Sequence, residues 1–403
     1  MRDRRGDDAV KAMGRKPEEA RGGLPLLQFA AFFSSFDRFV VAPMLVTIAA
    51  ALGASLAEVA ATASLYYLLY GLMQPVWGML SDRLGRVRVM RLTLLGATVA
   101  GTLSALAPNL AVLIAARALA GGLFAAVIPA SLVYVGDTIG MGSRQKALAD
   151  LMAASAVGTA LATVLGGLAA YLDAWRIAFA VPALAGGVLA LMLARLPEPE
   201  GFATEDRNGP LVQLGLVFRR PWAVAVVGIA MVEGAVILGF LTFLAPSLEY
   251  EGFSPALAGL AVGLYGLAVL GWTRAVKVLS DRLGPAALIL IGGGMLALGY
   301  ASGASGRSLT GVGVAAVLVG GGFAFMHSTL QTWATEVVPE ARATVISLFA
   351  AALFVGSGAA TTVAAPLAEV GRFGALFATA AVVALPLGLL AALARHRYVG
   401  HRT

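Results

Sequence analysis

Long apolar stretches alternate with short polar ones along almost the whole chain. Twelve of these stretches are about 18 to 28 residues long, enough to cross roughly 30 Å of hydrocarbon as a helix. Unpaired backbone groups are costly in lipid, so an α-helix is the element that fits such a stretch. The pattern predicts an all-α integral membrane protein with twelve transmembrane helices. The predicted spans are Leu24–Ala50, Glu58–Met79, Val89–Ala107, Leu110–Val135, Ala147–Ala170, Trp175–Ala194, Pro221–Leu248, Pro255–Val278, Pro285–Ser302, Thr310–Trp333, Ala343–Leu367 and Phe373–Ala394.

Composition supports a membrane protein over a soluble one. The chain has 403 residues, of which 59% are hydrophobic and only 13% charged, and its mean hydropathy is +0.85. Soluble domains carry roughly 25% charged residues, because they must cover their surface with polar groups. Cysteine is absent, which excludes disulfides, thiolate catalysis and cysteine-based metal sites.

The basic residues indicate how the helices are oriented. Of the 29 Lys and Arg residues, 24 fall on one side of the predicted spans, whereas Arg176, Arg307 and Arg372 fall on the other. Basic loops favour the cytoplasmic side, so we expect both termini there. The bias toward Arg, Ala and Gly suggests a bacterial genome and hence the bacterial cytoplasmic (inner) membrane. The net charge of +7 then reflects contact with anionic lipid, and we expect no nucleic-acid partner.

Polar segments divide the chain into five parts. Residues 1–23 mix basic and acidic side chains without an apolar core, so they form a predicted cytoplasmic tail and not a signal peptide. Residues 196–220, near the middle of the chain, are the longest polar interruption and form a predicted cytoplasmic linker. The expected domains are therefore two six-helix bundles, 24–195 and 221–395, followed by a short tail, 396–403.

An internal repeat relates the two halves. Ser81–Gly85 recurs as Ser280–Gly284, 199 positions later, and Leu69–Leu72 recurs as Leu264–Leu267, 195 positions later. Both copies fall at the same topological place in their half. Parallel six-helix repeats with a substrate site between them, near the membrane midplane, are a known transporter plan.

Two motifs resemble a known family. Gly78–Arg86 fits the pattern G-x-L-x-D-R-x-G-R of the loop between helices 2 and 3 in the major facilitator superfamily, and Arg117–Gly121 is similar to the R-x-x-x-G motif of its proton-coupled members. The resemblance implies two pseudo-symmetric six-helix bundles and is nearest to bacterial drug/proton antiporter-type exporters. The fifth span departs from their antiporter motif, because Ala162 and Thr163 replace its central Gly-Pro.

The signature loop is a candidate conformational latch. Asp82, at the end of the second span, is placed to face Arg83, Arg86 or the N-terminal dipole of a neighbouring helix. Glycines at 78 and 85 permit close backbone approach and a tight turn. The alternative is a solvated loop that is basic only because it is cytoplasmic. The predicted latch residues are Gly78, Asp82, Arg83, Gly85, Arg86, Asp281 and Arg282.

Four ionisable residues fall deep inside predicted spans: Asp37, Arg38, Arg117 and Glu233. Such residues are costly in lipid and are usually functional. A helix turns by about 100° per residue, so Asp37 and Arg38 need different partners, and Arg117 is a candidate partner for Asp37. A carboxyl group that has lost its water holds a proton more readily. We therefore expect proton coupling at Asp37 and Glu233, tuned by Arg117. The alternative is a structural ion pair.

Polar and aromatic side chains complete the predicted substrate site. His327 and Gln331 are one helical turn apart and share a face, and Tyr66 and Tyr70 do so in the second span. Packing roles are the alternative for each of them. No second ligand accompanies His327 at helical spacing, so we expect no metal. The predicted substrate-binding residues are Asp37, Arg38, Tyr66, Tyr70, Glu233, His327 and Gln331.

These patterns lead to one preferred function and two alternatives. The preferred one is a proton-coupled exporter of small apolar or amphipathic compounds that works by alternating access. An organic-anion or lysolipid transporter that uses Arg38 as anion partner is the first alternative; a non-transporting sensor or intramembrane enzyme is the second. No phosphate-binding loop, H-E-x-x-H pattern or nucleophile elbow is present. We therefore expect no enzyme and no cofactor beyond the proton gradient, with small-molecule substrate, protons and lipid as partners of a monomer.

Overall fold

Twelve long helices form the membrane-spanning part of the protein. The structure is a computed structural model that describes residues 23–199 and 209–400, and those residues contain helices and no strand. Eleven of the helices are long and apolar enough to cross a membrane; the remaining one, α3, is less apolar because three arginines occupy its first two turns. The helices are α1 Leu24–Leu52, α2 Leu56–Leu84, α3 Arg86–Ala105, α4 Leu110–Thr138, α5 Met141–Tyr171, α6 Trp175–Arg195, α7 Pro221–Tyr250, α8 Pro255–Leu279, α9 Pro285–Ser305, α10 Leu309–Ala334, α11 Pro339–Glu369 and α12 Phe373–Gly400.

The prediction of an all-α membrane fold is confirmed, and two details differ from it. The predicted linker contains a short helix, Pro210–Phe218, which docks on α11 where Gln213 accepts a hydrogen bond from Thr344. Helix α12 continues to Gly400, past the expected end at residue 395, because the Tyr398 hydroxyl donates to the carbonyl of Glu336 at 3.1 Å. Most of the predicted N-terminal tail (residues 1–22), linker residues 200–208 and residues 401–403 lie outside the described residues.

Helices α1 and α7 are both interrupted at the same place. The first α-helical part of α1 ends at Phe39 and is followed by a 3₁₀ turn, Ala42–Met44, that contains Pro43. The first part of α7 ends at Gly234 and is followed by a π-helical turn, Ala235–Gly239. Phe39 and Gly234 are 195 positions apart, the spacing of the sequence repeat. The position of the helix interruption therefore follows the sequence repeat, although the two turns differ in type.

Tertiary contacts follow the same spacing. The Trp77 indole of α2 donates to the carbonyl of Gly122 in α4 at 2.6 Å, and the Trp272 indole of α8 donates to the carbonyl of Val317 in α10 at 3.2 Å. Donors and acceptors are each 195 positions apart. The same indole bond therefore ties equivalent helices in each half.

The two halves meet at two equivalent crossings, α2 with α11 and α5 with α8. A Cβ atom added to Gly71 would lie 2.7 Å from the Ala351 carbonyl oxygen, and one added to Gly266 would lie 2.8 Å from the Ala156 carbonyl oxygen. These distances are too short for any side chain, so glycine is what allows the helices to cross here. The contacted alanines are again 195 positions apart.

The terminal face is the side of the membrane where α1 begins and α12 ends. Gly78 and Gly271 lie on the terminal-face side of the two crossings, and both have open space beside them. At the other side, the distal face, the Ala57 amide at the start of α2 donates to the Glu369 carboxylate of α11 at 2.9 Å. A Cβ atom added to Gly78 would have no neighbour within 4 Å, so the close approach expected there is not seen in this conformation.

Replacement of Gly71 by valine is expected to destabilise this conformation by about 1–3 kcal/mol, the usual cost of overpacking. Gly266→Val should do the same by symmetry. Gly78→Val and Gly271→Val are matched controls on the same helices, and we expect little change from them. Thermal unfolding of the detergent-purified variants measures the effect. Equal melting temperatures for Gly71→Val and Gly78→Val would contradict a tight crossing.

Candidate functional site

Asp37 and Arg117 form a fully buried ion pair within the first half. The Arg117 Nη1 atom lies 2.8 Å from Asp37 Oδ1, and Nη2 donates to the Asp37 backbone carbonyl at 2.6 Å. Arg117 is 0% exposed and Asp37 1%. The guanidinium also packs over the rings of Tyr66 and Phe179, at 4.6 and 4.8 Å from their centroids. The pairing suggested by the sequence is present, and it joins α1 to α4; its part in proton coupling stays a prediction.

Arg38 lies at the boundary between the halves and lacks a counter-ion. Its Nη2 donates to the Tyr70 hydroxyl at 3.2 Å, and its guanidinium lies 4.5 Å from the Tyr70 ring and 5.1 Å from the ring of Phe354 in α11. The Nε–H group is buried without a hydrogen-bond partner. Within the described ranges, no carboxylate lies at ion-pair distance from Arg38. Arg38 is thus a partly buried cation, held between aromatic rings of both halves.

Glu233 and His327 pair inside the second half. The Glu233 Oε2 atom lies 3.2 Å from His327 Nδ1, and Glu233 is 0% exposed. Its other oxygen, Oε1, is buried and has no hydrogen-bond partner. The His327 ring stacks on Phe323 at 4.5 Å and lies 5.5 Å from Phe349. A carboxyl and an imidazole in contact can share or exchange one proton, which suits proton coupling.

Both members of this pair adjoin irregular helical turns. Glu233 lies two residues before the π-helical turn of α7, and His327 ends a second such turn, Phe323–His327, in α10. Such turns widen the helix locally and recur at functional sites. Neighbouring hydroxyls bond the α7 carbonyls here: Ser357 donates to Gly234 at 3.0 Å and Tyr300 to Val236 at 2.5 Å. The irregular backbone beside Glu233 is therefore held by specific bonds.

The other predicted substrate residues divide between these groups. Tyr70 contacts Arg38, whereas Tyr66 lies under Arg117 and is only 1% exposed. Gln331 is exposed, one turn beyond His327 toward the terminal face. In the described part of the chain, no group of three or more His, Asp or Glu side chains could hold a metal ion. The aromatic partner of Arg38 in the second half, Phe354, was not predicted, since nothing in the sequence indicates which ring of α11 faces α1.

The signature loop forms a charge cluster at the terminal face. Asp82 and Arg86 form an ion pair, and Arg86 Nε also lies 3.5 Å from Asp137 Oδ2 at the end of α4. Gly85 has φ of +101°, which explains the glycine. The Glu198 carboxylate, from the linker, accepts hydrogen bonds from the backbone amides at residues 87 and 88, at 3.1 and 2.6 Å. The sequence identified neither Asp137 nor Glu198.

The remaining predicted latch residues do not join a comparable cluster. Arg83, Asp281 and Arg282 are exposed, and none of them forms an ion pair with another described residue. In the second copy of the loop, Pro285 stands where Arg86 stands in the first, so the arginine that organises the first cluster is missing. The two loops therefore differ in structure despite their matching sequences.

Comparison with known families agrees with this architecture. The family model described as Major Facilitator Superfamily matches residues 27–361. The chain belongs to the Major Facilitator Superfamily. This confirms the resemblance of the signature loop and places the protein in a family of multi-pass membrane transporters.

Superfamily members with similar sequences are named after several different substrates. The chain is 30% identical over 250 residues to a class C tetracycline resistance protein of Escherichia coli, covering 59% of this chain and 61% of that protein. It is 29% identical over 264 residues to the 3-(3-hydroxy-phenyl)propionate transporter of Escherichia coli, covering 63% and 64%. It is 26% identical over 265 residues to a triacylglyceride transporter of Mycobacteroides abscessus, covering 64% of this chain and 49% of that one. The chain thus spans less than two thirds of the length of these relatives.

Solved superfamily structures share the fold over nearly the whole chain. The nucleoside transporter NupG superposes with a TM-score of 0.76 at 14% identity, covering 91% of this chain and 99% of that one. A bacterial homolog of the human lysosomal transporter Spinster, inward-facing and unoccupied, gives 0.73 at 17% identity, covering 93% and 97%. A human organic anion transporter (TETRAN) gives 0.68 at 19% identity, covering 92% and 99%. They confirm the twelve-helix fold.

Proposed function

We propose that the protein moves an organic anion together with a proton across the membrane by alternating access. The observation that carries the proposal is Arg38, a cation at the cleft between the halves with a buried Nε–H that has no partner. Asp37 does not serve as its counter-ion, because that carboxylate is bound by Arg117. A cation in this position is suited to a carboxylate or similar anionic group, with which it forms charge-assisted hydrogen bonds.

The Glu233–His327 pair supplies the coupling. When Glu233 is ionised and His327 neutral, the charges of Arg38 and Glu233 offset each other, and an incoming anion is repelled by Glu233. When the pair binds one proton it becomes neutral. The site then has the net positive charge of Arg38, so the anion binds more readily. Two unit charges about 8 Å apart interact by roughly 2 kcal/mol at an effective dielectric constant near 20, enough to link the two events. Anion and proton therefore bind together.

The basic residues orient this cycle. The terminal face carries nearly all loop Lys and Arg residues, which favours the cytoplasmic side of a bacterial inner membrane. The distal face, where the Ala57 amide of α2 bonds Glu369 of α11, is then the periplasmic side. The rings of Tyr70, Phe354 and Phe323 favour an anion with an apolar body. One Escherichia coli relative is named as a transporter of a phenylpropionate derivative, so an aromatic carboxylate is the first candidate substrate.

The second candidate function is export of an apolar or amphipathic compound in exchange for protons. It is favoured by the relatives named as a tetracycline resistance protein and an efflux pump. In that function the unpartnered Glu233 oxygen binds a cationic cargo in competition with a proton. The two candidates therefore predict opposite directions of proton movement when cargo is added.

Proteoliposomes that contain a pH-sensitive dye distinguish the candidates. External 3-phenylpropane-1-sulfonate, which has no membrane-permeant neutral acid form, should acidify the lumen if anion and proton move together, and protein-free liposomes correct for leakage. A lumen that instead becomes alkaline with an external lipophilic cation supports exchange. If aromatic carboxylates and sulfonates leave the dye unchanged and are not themselves transported, the proposal of an anion transporter is wrong.

Glu233→Gln is expected to separate anion movement from proton movement. Glutamine keeps a hydrogen bond to His327 but removes the carboxyl, so anion exchange across the membrane should continue while pH-driven accumulation falls at least about tenfold. Radiolabelled substrate uptake with and without a pH gradient measures both. Glu249→Gln, a partly buried carboxyl near the distal end of the same helix, is the matched control and should keep accumulation. Normal pH-driven accumulation in Glu233→Gln would exclude this residue from coupling.

A further inference from the structure

Arg38 and Glu233 occupy equivalent positions in the two halves. They are 195 positions apart, the spacing that also relates the indole bonds and the glycine crossings. Each directly precedes the last residue before its helix is interrupted, in α1 and in α7. The internal symmetry thus places a cation from the first half and a carboxyl from the second at matching sites near the midplane.

Each of the two residues has a buried polar atom without a hydrogen-bond partner, and a ligand could supply that partner. Arg38 Nε–H is a buried donor without an acceptor, and Glu233 Oε1 is a buried acceptor without a donor. Buried polar groups are normally paired, so each of these exceptions calls for an explanation. A ligand that offered only an anionic group would satisfy the first atom and leave the second unpaired.

Tyr265 connects the two positions. Its ring is 6.1 Å from that of Phe39, the sequence neighbour of Arg38, and 6.5 Å from that of Phe323, which stacks on His327. Tyr265 is itself the equivalent of Tyr70, the residue that holds Arg38. The two charges therefore belong to one aromatic-walled site that extends across the boundary between the halves.

We propose that the substrate is dipolar: its anionic group binds Arg38, and a hydrogen-bond donor at its other end binds Glu233, either a hydroxyl beside the coupling proton or an ammonium that takes the place of that proton. This rests on the anion transport proposed above and specifies the class of anion. The apolar middle of the molecule packs between the rings that separate the two charges. Such a substrate joins the halves through one contact in each, so its binding favours conformations in which they close around it.

The proposal has a thermodynamic consequence for substrate choice. A site with a buried group that needs a hydrogen-bond partner discriminates strongly against ligands that lack it, because the group is left unpaired. The donor should therefore raise affinity at least about tenfold, equivalent to about 1.4 kcal/mol. A site that used Arg38 alone would bind anions with and without the donor about equally.

A series of ligands on one framework tests this with the full-length protein in detergent. The ligands are 3-phenylpropionate, its para-hydroxy derivative and its para-aminomethyl derivative, and calorimetry at one pH gives their affinities. The two derivatives should bind at least about tenfold more tightly than the parent. In Glu233→Gln the advantage of the ammonium over the parent should fall at least about tenfold, while the parent, which the carboxylate no longer repels, should bind at least as tightly as before. Glu249→Gln should keep the full series.

The outcomes separate this inference from the proposed function. If all three ligands are transported and bind with similar affinities, the proposal of a dipolar site is wrong, whereas the proposal of anion transport stands. If the donor advantage persists unchanged in Glu233→Gln, the donor does not bind there and the inference also fails. If no ligand binds and Arg38→Ala matches the unaltered protein for every ligand, the proposed function itself fails.

Discussion

Replacement of Arg117 by leucine is expected to destabilise the protein by about 3–5 kcal/mol, because it leaves a buried carboxylate without its partner. Asp37 is only 1% exposed, so water cannot take the place of the guanidinium. The same change removes the two hydrogen bonds that Arg117 of α4 donates to Asp37 of α1. A loss of this size is a large fraction of a typical folding free energy of about 5–15 kcal/mol.

Neutral partners distinguish loss of charge balance from loss of packing. In the double variant Asp37→Asn with Arg117→Gln, no charge is left buried alone, and at least half of the lost melting temperature should return. Thermal unfolding and size-exclusion profiles of the purified variants measure this. A melting temperature for Arg117→Leu equal to that of the unaltered protein would show that the pair contributes no net stability.

The membrane fold and the Asp37–Arg117 pair could be predicted for the same physical reason. Lipid cannot solvate backbone groups or charges, so apolar stretches must be helices, and a deep carboxylate needs one of very few available cations. Arg38 and Arg117 are the only two Lys or Arg residues that lie more than five positions from the ends of the predicted spans. Arg38 is the sequence neighbour of Asp37 and points elsewhere on the helix, which left Arg117 as the candidate.

The contacts that make the site distinctive could not be predicted in this way. Glu233 and His327 were identified separately, but their pairing depends on two π-helical turns, which change the register that a regular helix implies. Phe354 reaches Arg38 from a helix more than 300 residues away in the chain. Which faces of the two halves meet is set by packing, and hydropathy carries no information on it.

Symmetry extends the sequence repeat beyond its visible copies. Only short matching segments reveal the 195-residue spacing in the sequence, yet helix interruptions, indole bonds and glycine crossings all follow it. Side chains at equivalent positions can nevertheless differ. Arg38 and Glu233 are such a pair, and the opposite charges at one symmetric position are what give the cleft its polarity.

Replacement of Arg38 by alanine is expected to lower anion affinity by about 10- to 100-fold, the value of a charge-assisted hydrogen bond of roughly 1.5–3 kcal/mol. Stability should change little, because Arg38 is partly exposed and leaves no buried charge unpaired. Arg38→Lys keeps the charge but loses the planar guanidinium group with its paired donors. The anion affinity of this variant should therefore lie between those of Arg38→Ala and the unaltered protein. Calorimetry with 3-phenylpropionate gives the affinities, and thermal unfolding checks the fold.

An arginine elsewhere supplies the control for this prediction. Arg176 also stacks on an aromatic ring, that of Trp175 at 4.2 Å, but it lies near the distal end of α6, away from the cleft. Arg176→Ala removes the same net charge, so a general effect of charge on anion binding would appear in both variants. A loss confined to Arg38→Ala assigns the anion to that one guanidinium. Equal losses in the two variants would mean that the anion responds to the total charge of the protein, and Arg38 would then be a packing residue that ties α1 to α2 and α11.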